Sequence, residues 1–377
     1  MTKDQGPSTN QTLFNEHFIN LKDPRCTYRG NLQHLLSDIL LLTISAVLCG
    51  ADNWQLVKVF GDSQLEWLRK HGEFTNGIPS SYTIERVFTA LDPKSFNTCF
   101  TNWIESIREK SDGEVIAIDG KSIRGANPKK NGNKMPHIVS AFASDNGITL
   151  GQVKVDEKSN EITAIPELLE HIAIEGCTIT IDAMGCQTDI ATKIRSNGAN
   201  YILAVKGNQG SLEQSILDTI RFEKPVSINV DEDFGHGRIE KRTCYAYSSL
   251  SHVENIDKWK DLRTLIKIES EVYHKSNEET TTEQRYYISD LPPNASVLNK
   301  RIRQHWSVEN NLHWTLDVEF GEDKSRKRSG YSAENYNIIL KIALTMLAND
   351  KSKKLSKKSK RMKAALDYKY RESILNF

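Results

Sequence analysis

The chain has 377 residues, 38% of them apolar and 26% charged, and a formal net charge of +1. That length allows two domains and a sizeable core, and the composition is that of soluble globular proteins rather than disordered or fibrous ones. The longest apolar run, Ile39 to Cys49, is about half a membrane span; it includes Thr43 and Ser45 and follows Gln33, His34 and Asp38, so it reads as a buried helix and no membrane partner is expected. The polar start, Met1 to Gln5, has no secretory pattern. Six cysteines (26, 49, 99, 177, 186, 244) without a C-x-x-C pair argue against a structural zinc site and for a reducing compartment, so a cytoplasmic location is expected.

The near-zero net charge hides an asymmetry. Lys351 to Phe377 holds ten basic and two acidic residues, a balance of +8, which leaves 40 basic and 47 acidic residues, or −7, in the remainder. An acidic body with a basic tail (351–377) points to a polyanionic partner, and a merely solvated tail is the alternative.

Residues 12–110 read as helical, within an N-terminal unit of residues 1–110. Leu32 to Cys49 is an apolar helix, and Gly50-Ala51-Asp52-Asn53 closes it and caps the next, near Trp54. Ser80 is placed to cap a helix, and Asp92-Pro93 repeats the device with proline at the first helical position. Short helices with tight turns are compatible with a helix-turn-helix, although packing alone explains their apolar residues equally well.

From Glu114 the texture changes. Val115 to Ile118 is a short buried strand closed by Asp119 and broken by Gly120; Pro136 to Ala143 and Ile148 to Val155 are two more strands, joined through the hairpin signal Asn146-Gly147. Glu161 to Ile174 reads as a helix with Ile162, Ile165, Leu168, Leu169 and Ile172 on one face. Thr178 to Ile181 is a β-branched run that again ends in an aspartate, Asp182. A helix near Gln187 to Ser196 and a strand Tyr201 to Val205 follow. Three antiparallel strands followed by αβαβ is the layout of the ribonuclease H-like α/β fold, expected here over residues 111–225. Residues 226–284 are strand-rich and more polar, with Arg238 to Tyr247 and Thr264 to Val272 as strands and a loop at Lys275 to Glu279; they read as an insertion. Arg285 to Ile288 returns the chain to the first fold, which then occupies 285–350, and Ser296 starts a long helix.

A lone aspartate before glycine is usually a turn cap. Two aspartates, each ending a β-branched run, instead suggest a carboxylate cluster at one sheet edge, a placement suited to a metal ion. On the long helix, His305, Glu309 and His313 stand at i, i+4 and i+8, near one face. The two histidines are about 12 Å apart along a regular helix, too far to share one zinc ion in the way that H-E-x-x-H does. Glu309 as an oxygen ligand, flanked by histidines that hydrogen-bond substrate or neighbours, suits the spacing better. Trp306 and Trp314 are accounted for as core residues of an amphipathic helix.

Taken together, Ala117-Ile-Asp-Gly-Lys-Ser-Ile-Arg-Gly125, Ile181-Asp-Ala-Met-Gly-Cys-Gln187, Ala204-Val-Lys-Gly-Asn-Gln209, Gly235-His-Gly-Arg-Ile-Glu240, His305-Trp-Ser-Val-Glu-Asn310 and Leu312-His-Trp-Thr-Leu-Asp-Val318 resemble the H-repeat-associated insertion-sequence family of DDE transposases, from end to end of the chain. Asp23-Pro24-Arg25 and Gly77 to Ser80 resemble that family's helical N-terminal region. The resemblance implies a triad of Asp119, Asp182 and Glu309 that holds two Mg²⁺ ions, with Mn²⁺ able to substitute. It also implies two-metal cleavage and strand transfer of double-stranded DNA, a homodimer in the DNA complex, and association with the nucleoid when DNA is bound. Three carboxylates are hard oxygen donors that suit Mg²⁺, and two such ions can clamp both oxygens of an in-line phosphoryl displacement.

The sequence departs from the related pattern Tyr-x2-Arg-x3-Glu-x6-Lys, since alignment on Glu309 places Ile302, His305 and Leu316 at its other positions. The DNA-contacting candidates are therefore Lys121, Arg124, Lys206, Arg238, Arg301, Arg303, His305, His313, Lys324 and Arg326. Asp317, Glu319, Glu322 and Asp323 lie near enough in sequence to compete for the third ligand position. Two other readings stay open: a domesticated, catalytically silent DNA-binding relative, and a simple Mg²⁺-dependent nuclease.

Overall fold

The computed structural model describes residues 16–25, 32–127, 135–156, 159–235, 237–276, 278–352 and 354–375. The start Met1 to Gln5, Cys26, His236 and Asn277, all read above, lie outside the described residues.

Among the described residues, after a short helical turn at 16–18, come the helices α1 (Leu36–Leu48), α2 (Trp54–Leu68), α3 (Ser81–Ala90) and α4 (Pro93–Ile107). The starts of α2, α3 and α4 follow from side-chain caps that satisfy otherwise orphaned amides, whereas α1 follows Leu35 without one. Asn53 accepts from Leu56 N, Ser80 from Thr83 N, and Asp92 from Ser95 N with Pro93 at the first turn.

Next come β1 (Val115–Ser122), β2 (His137–Ala143), β3 (Ile148–Lys154), α5 (Glu161–His171), β4 (Thr178–Ile181), α6 (Thr188–Ser196), β5 (Asn200–Val205) and α7 (Gly210–Phe222). β1 pairs antiparallel with β2 and parallel with β4, and β4 pairs parallel with β5. This is the ribonuclease H-like arrangement expected from the order of elements. One detail differs: β1 does not stop at Asp119 but runs through Gly120 to Ser122. Gly120 stays in the strand because its missing side chain leaves room for two others; a Cβ there would lie 2.3 Å from Glu161 Oε1 and 2.5 Å from His137 Nε2.

The strand-rich segment forms β6 (Ser227–Gly235), β7 (Arg238–Tyr247), β8 (Thr264–His274) and β9 (Glu279–Ser289), an antiparallel meander. It is continuous with the first sheet, because β9 pairs antiparallel with β5. The result is one nine-stranded mixed sheet in the order β3-β2-β1-β4-β5-β9-β8-β7-β6.

The helix expected from Ser296 onward is α8 (Ala295–His305), but it does not continue regularly through Trp314. Val308–His313 forms a π-helical turn in which Trp314 N–H bonds Glu309 O, and α9 (Trp314–Val318) follows. A π turn adds a residue to the helical repeat. Here it keeps Val308, Leu312 and Leu316 buried while Glu309 stands exposed; Trp314, expected in the core, is 55% exposed and Trp306 only partly buried, because the widened turn rotates them off the apolar face.

α10 (Ser332–Asn349) is buried along most of its length and packs on α1, α3, α4 and β3. It joins the N-terminal helices and the sheet in one apolar core. The basic end of the chain folds as α11 (Lys357–Leu366) and α12 (Tyr368–Leu375). Three of its cations are structural. Lys360 donates to Leu347 O at 3.0 Å, Arg361 donates to Val47 O at 2.9 Å, and buried Arg371 lies over the Trp67 ring at 4.0 Å. The solvated-tail alternative therefore does not describe this segment. No described helix is long and apolar enough to cross a membrane.

Candidate active site

Ile118 of β1 is the register partner of Ile181 of β4. The next residue on each strand is an aspartate, so Asp119 and Asp182 stand level on adjacent parallel strands. Asp182 also caps the short turn Ala183–Gly185, accepting from Met184 N at 3.0 Å and Gly185 N at 3.4 Å. Glu309 approaches from the π turn. Asp119, Asp182 and Glu309 all line one cleft of about 180 Å³, together with Lys206, Arg285 and His305.

Two histidines lie beside these acids. His305 Nδ1 and Thr180 Oγ1 share a 2.9 Å hydrogen bond, and burial pushes this imidazole toward its neutral form. His313 Nε2 lies 3.2 Å from Asp119 Oδ2. The contact is an ion-pair distance without good hydrogen-bond alignment, since neither buried ring nitrogen of His313 has a well-directed partner.

Burial opposes ionisation of Asp119, but the contact and charge of His313 outweigh it and hold its carboxyl below the usual range. Asp182 is pushed up, first by burial, then by the charges of Glu161 and Asp119. Glu309 is pushed up by burial and then by Asp119. Like charges close together disfavour joint ionisation, and a cation between them relieves that repulsion. Among the described residues no three His, Cys, Asp or Glu side chains are gathered tightly enough to hold a metal ion as they stand. The all-oxygen donor set and its mutual repulsion nevertheless fit a hard divalent ion.

Sequence reasoning did not place Glu161 here. It begins α5, accepts from His137 Nε2 at 2.6 Å, and His137 Nδ1 in turn meets Ser122 Oγ at 2.9 Å. Arg285 and Arg242 were also missed as site neighbours. Period-two alternation along β7 puts Arg238, Glu240 and Arg242 on one face, which was the available signal for the second.

The remaining basic candidates scatter. Lys206 is exposed at the cleft wall. Lys121 is engaged by Asp317, by Glu322 at 2.8 Å and by Asp323 at 3.5 Å. Arg124 is exposed, 3.7 Å from Asp323. Arg303 pairs with Glu240 at 2.8 Å and Asp233 at 3.2 Å, and Arg238 lies 3.9 Å from Glu240. Arg301 is half-buried against Gly113, and Lys324 and Arg326 are exposed beyond the cleft.

A family model described as "Transposase DDE domain" matches residues 110–346, and one described as "DDE_Tnp_1-associated" matches residues 15–104. The chain is 43% identical over 366 residues to "Putative transposase YncI" of Escherichia coli O157:H7, covering 93% of this chain and 92% of that protein. It is 41% identical over 370 residues to "H repeat-associated putative transposase YhhI" of Escherichia coli K12, covering 96% and 97%. Among solved structures, a piggyBac transposase synaptic complex with hairpin DNA is similar at a TM-score of 0.43 and 11% identity, over 97% of this chain and 77% of that one. On the family model and these relatives, the chain belongs to the H-repeat-associated DDE transposases.

Proposed function

We propose that this protein is an active insertion-sequence transposase that binds the ends of its element as duplex DNA and catalyses metal-dependent strand cleavage and strand transfer. One observation carries the reading: Asp119, Asp182 and Glu309, from two adjacent strands and a π turn, line the same cleft. Of the four competing acids, Glu319 does not line the cleft and the other three are otherwise engaged. Asp317, Glu322 and Asp323 surround Lys121, and none of them lines that cleft.

Asp119, Asp182 and Glu309 would hold Mg²⁺, or Mn²⁺ in its place, which supplies charge neutralisation at the phosphoryl group and activation of the attacking hydroxyl. The chain's own groups do the rest. Lys206 and Arg285 bring positive charge to the cleft wall, where a phosphodiester would sit. His313 keeps Asp119 ionised, and the His305–Thr180 bond fixes the helix against β4. We assign residues 1–110 to contacts with the element ends, residues 226–284 to an insertion that widens the DNA surface, and the working form to a homodimer that acts in the cytoplasm at the nucleoid.

The test is Glu309→Gln. In Mg²⁺, nicking at the element's own ends should fall to background while affinity for those ends stays within a few-fold, because DNA contacts come mainly from basic and polar groups elsewhere. Asp119→Asn and Asp182→Asn should behave alike. A wild-type protein that binds its ends and never cleaves them in either metal would show a silent binder. Cleavage that survives Glu309→Gln would move the third ligand to Asp317 or an acid after it.

A further inference from the structure

A second cavity, about 630 Å³, lies beside the cleft and shares Arg285, Trp306 and Glu309 with it. Its floor is one face of the extension strands. Alternate residues of β7 reach that face. Cys244 and Ala246 lie in the apolar cluster with Leu298 and Ile302 of α8, and Arg242, Glu240 and Arg238 line the cavity beyond. Ser307 and, from the π turn, Glu309, Asn310 and Asn311 also line it.

The charges in this groove do not balance, because four cations (Arg238, Arg242, Arg285 and Arg303) face three acids (Glu240, Glu283 and Glu309). Glu240 is taken by Arg303, and Glu283 is taken by Arg285, whose guanidinium lies 4.4 Å over the Trp306 ring. Arg242 is left over. It is only 5% exposed, its Nε is buried without a hydrogen-bond partner, and no carboxylate among the described residues is in ion-pairing reach. Burial pulls its pKa down; Tyr287 and the more distant charge of Glu240 offset this only in part, while Arg303 and Arg285 add like charge nearby. A buried guanidinium without a counter-ion is costly unless an anion completes it. Arg is suited to phosphate, which it can grip through two parallel N–H groups.

We infer that the groove is a track for a single DNA strand, with Arg242 receiving a backbone phosphate and leading the strand to the acid cleft. A strand rather than an intact duplex is implied by depth. Arg242 is only 5% exposed and lines the cavity together with residues of the π turn, so a phosphate must enter the cavity to reach it, which suits an extended strand better than a duplex. The inference rests on the transposase reading for the chemistry next door, but not for the binding itself.

The experiment is anisotropy titration of the full-length protein with a fluorescent mixed-sequence oligodeoxynucleotide, as a single strand and as a duplex, in EDTA and over a range of salt. Arg242→Met should weaken single-strand binding about tenfold and reduce the salt slope by about 0.7. Its melting temperature should hold or rise, because an uncompensated buried charge has been removed. Ser270 is the register partner of Arg242 on β8, so Ser270→Glu would supply an internal anion. It should lose the same affinity while melting higher, and it decides the matter alone if Arg242→Met fails to fold.

Unchanged single-strand affinity in Ser270→Glu, or in a folded Arg242→Met, overturns the inference. So does a wild-type protein that does not bind the single strand, a loss confined to the duplex, or a loss accompanied by lower melting temperatures in both variants. Because EDTA suppresses cleavage, the outcome is independent of the Glu309→Gln test. Predicted losses in a protein that never cuts would leave the track standing and remove only the enzymatic reading.

Discussion

Gly120 and Glu161 touch across the end of β1, and the closeness of that contact decides what position 120 can hold. The glutamate's Oε1 occupies the place where a β-carbon on residue 120 would go, at 2.3 Å. The same glutamate is, after burial, the main influence that raises the Asp182 carboxyl.

Gly120→Ala should therefore displace the Glu161–His137 pair and destabilise the protein by about 1–3 kcal/mol, as overpacking does. Cleavage should fall with it. The Gly120→Ala/Glu161→Ala double variant should be less destabilised than the two single losses summed, since the closer of the two clashes is gone and only that with His137 remains. Denaturant melts of the four proteins measure this, and strict additivity would show that the contact has no such role.

Lys341 gives a pH signature. It is buried on α10, donates to Ser140 Oγ at 2.7 Å and Gln152 Oε1 at 2.6 Å, and burial lowers its pKa from 10.5 to about 7. Below about pH 7 folded and unfolded chains both carry the proton, and the full cost of the buried charge is present. Between about 7 and 10.5 only the unfolded chain carries it, so this group makes stability rise with pH. Measured against Lys341→Met, the wild type should gain by up to roughly 1.4 kcal/mol per pH unit across that window. Urea melts at several pH values test it, and a constant difference between the two proteins would contradict it.

Removing everything after Asp350 should unsettle the whole fold, because Ala364, Ile374 and Leu375 are buried and Arg371 is sealed against Trp67. The truncated chain should melt at markedly lower temperature or aggregate. The tail's exposed cations are better probed singly. Neutralising Lys354 and Lys358, both exposed, should reduce the salt slope for duplex binding by up to about 0.9 each with no change in melting temperature. An unchanged slope would confine the tail to a structural role.

Much of the sheet was legible because its strands are β-branched runs ended by polar residues, as at Ile118-Asp119 and Ile181-Asp182. Sequence order also conveyed the ribonuclease H-like arrangement, since hairpin-linked strands followed by αβαβ leave few alternatives. Arg285 to Ile288 read as the return of the chain to the first fold, but that the same strand also closes the meander, and that it pairs Val205 with Tyr286, are long-range choices that local pattern does not encode. Nor was the π turn, since an i, i+4, i+8 spacing looks the same whether the helix stays regular or widens at Glu309. Lys121 illustrates a third limit. Its charge and its place two residues after Asp119 suggested a phosphate contact, whereas three acids from about 200 residues away surround it.

The pairing of β5 with β9 has a mechanical consequence. Residues 202–205 are laced to 286–289 by ladder hydrogen bonds, so the acid-bearing strands and the extension strands form one plate rather than two bodies on a hinge. The spacing between Arg242 and Asp182 is thus set by strand widths and cannot stretch without unzipping the ladder. Whatever is gripped at one end of the plate is delivered to the other at a fixed interval, as on a ruler. Tension on a bound strand would load that ladder rather than a flexible linker.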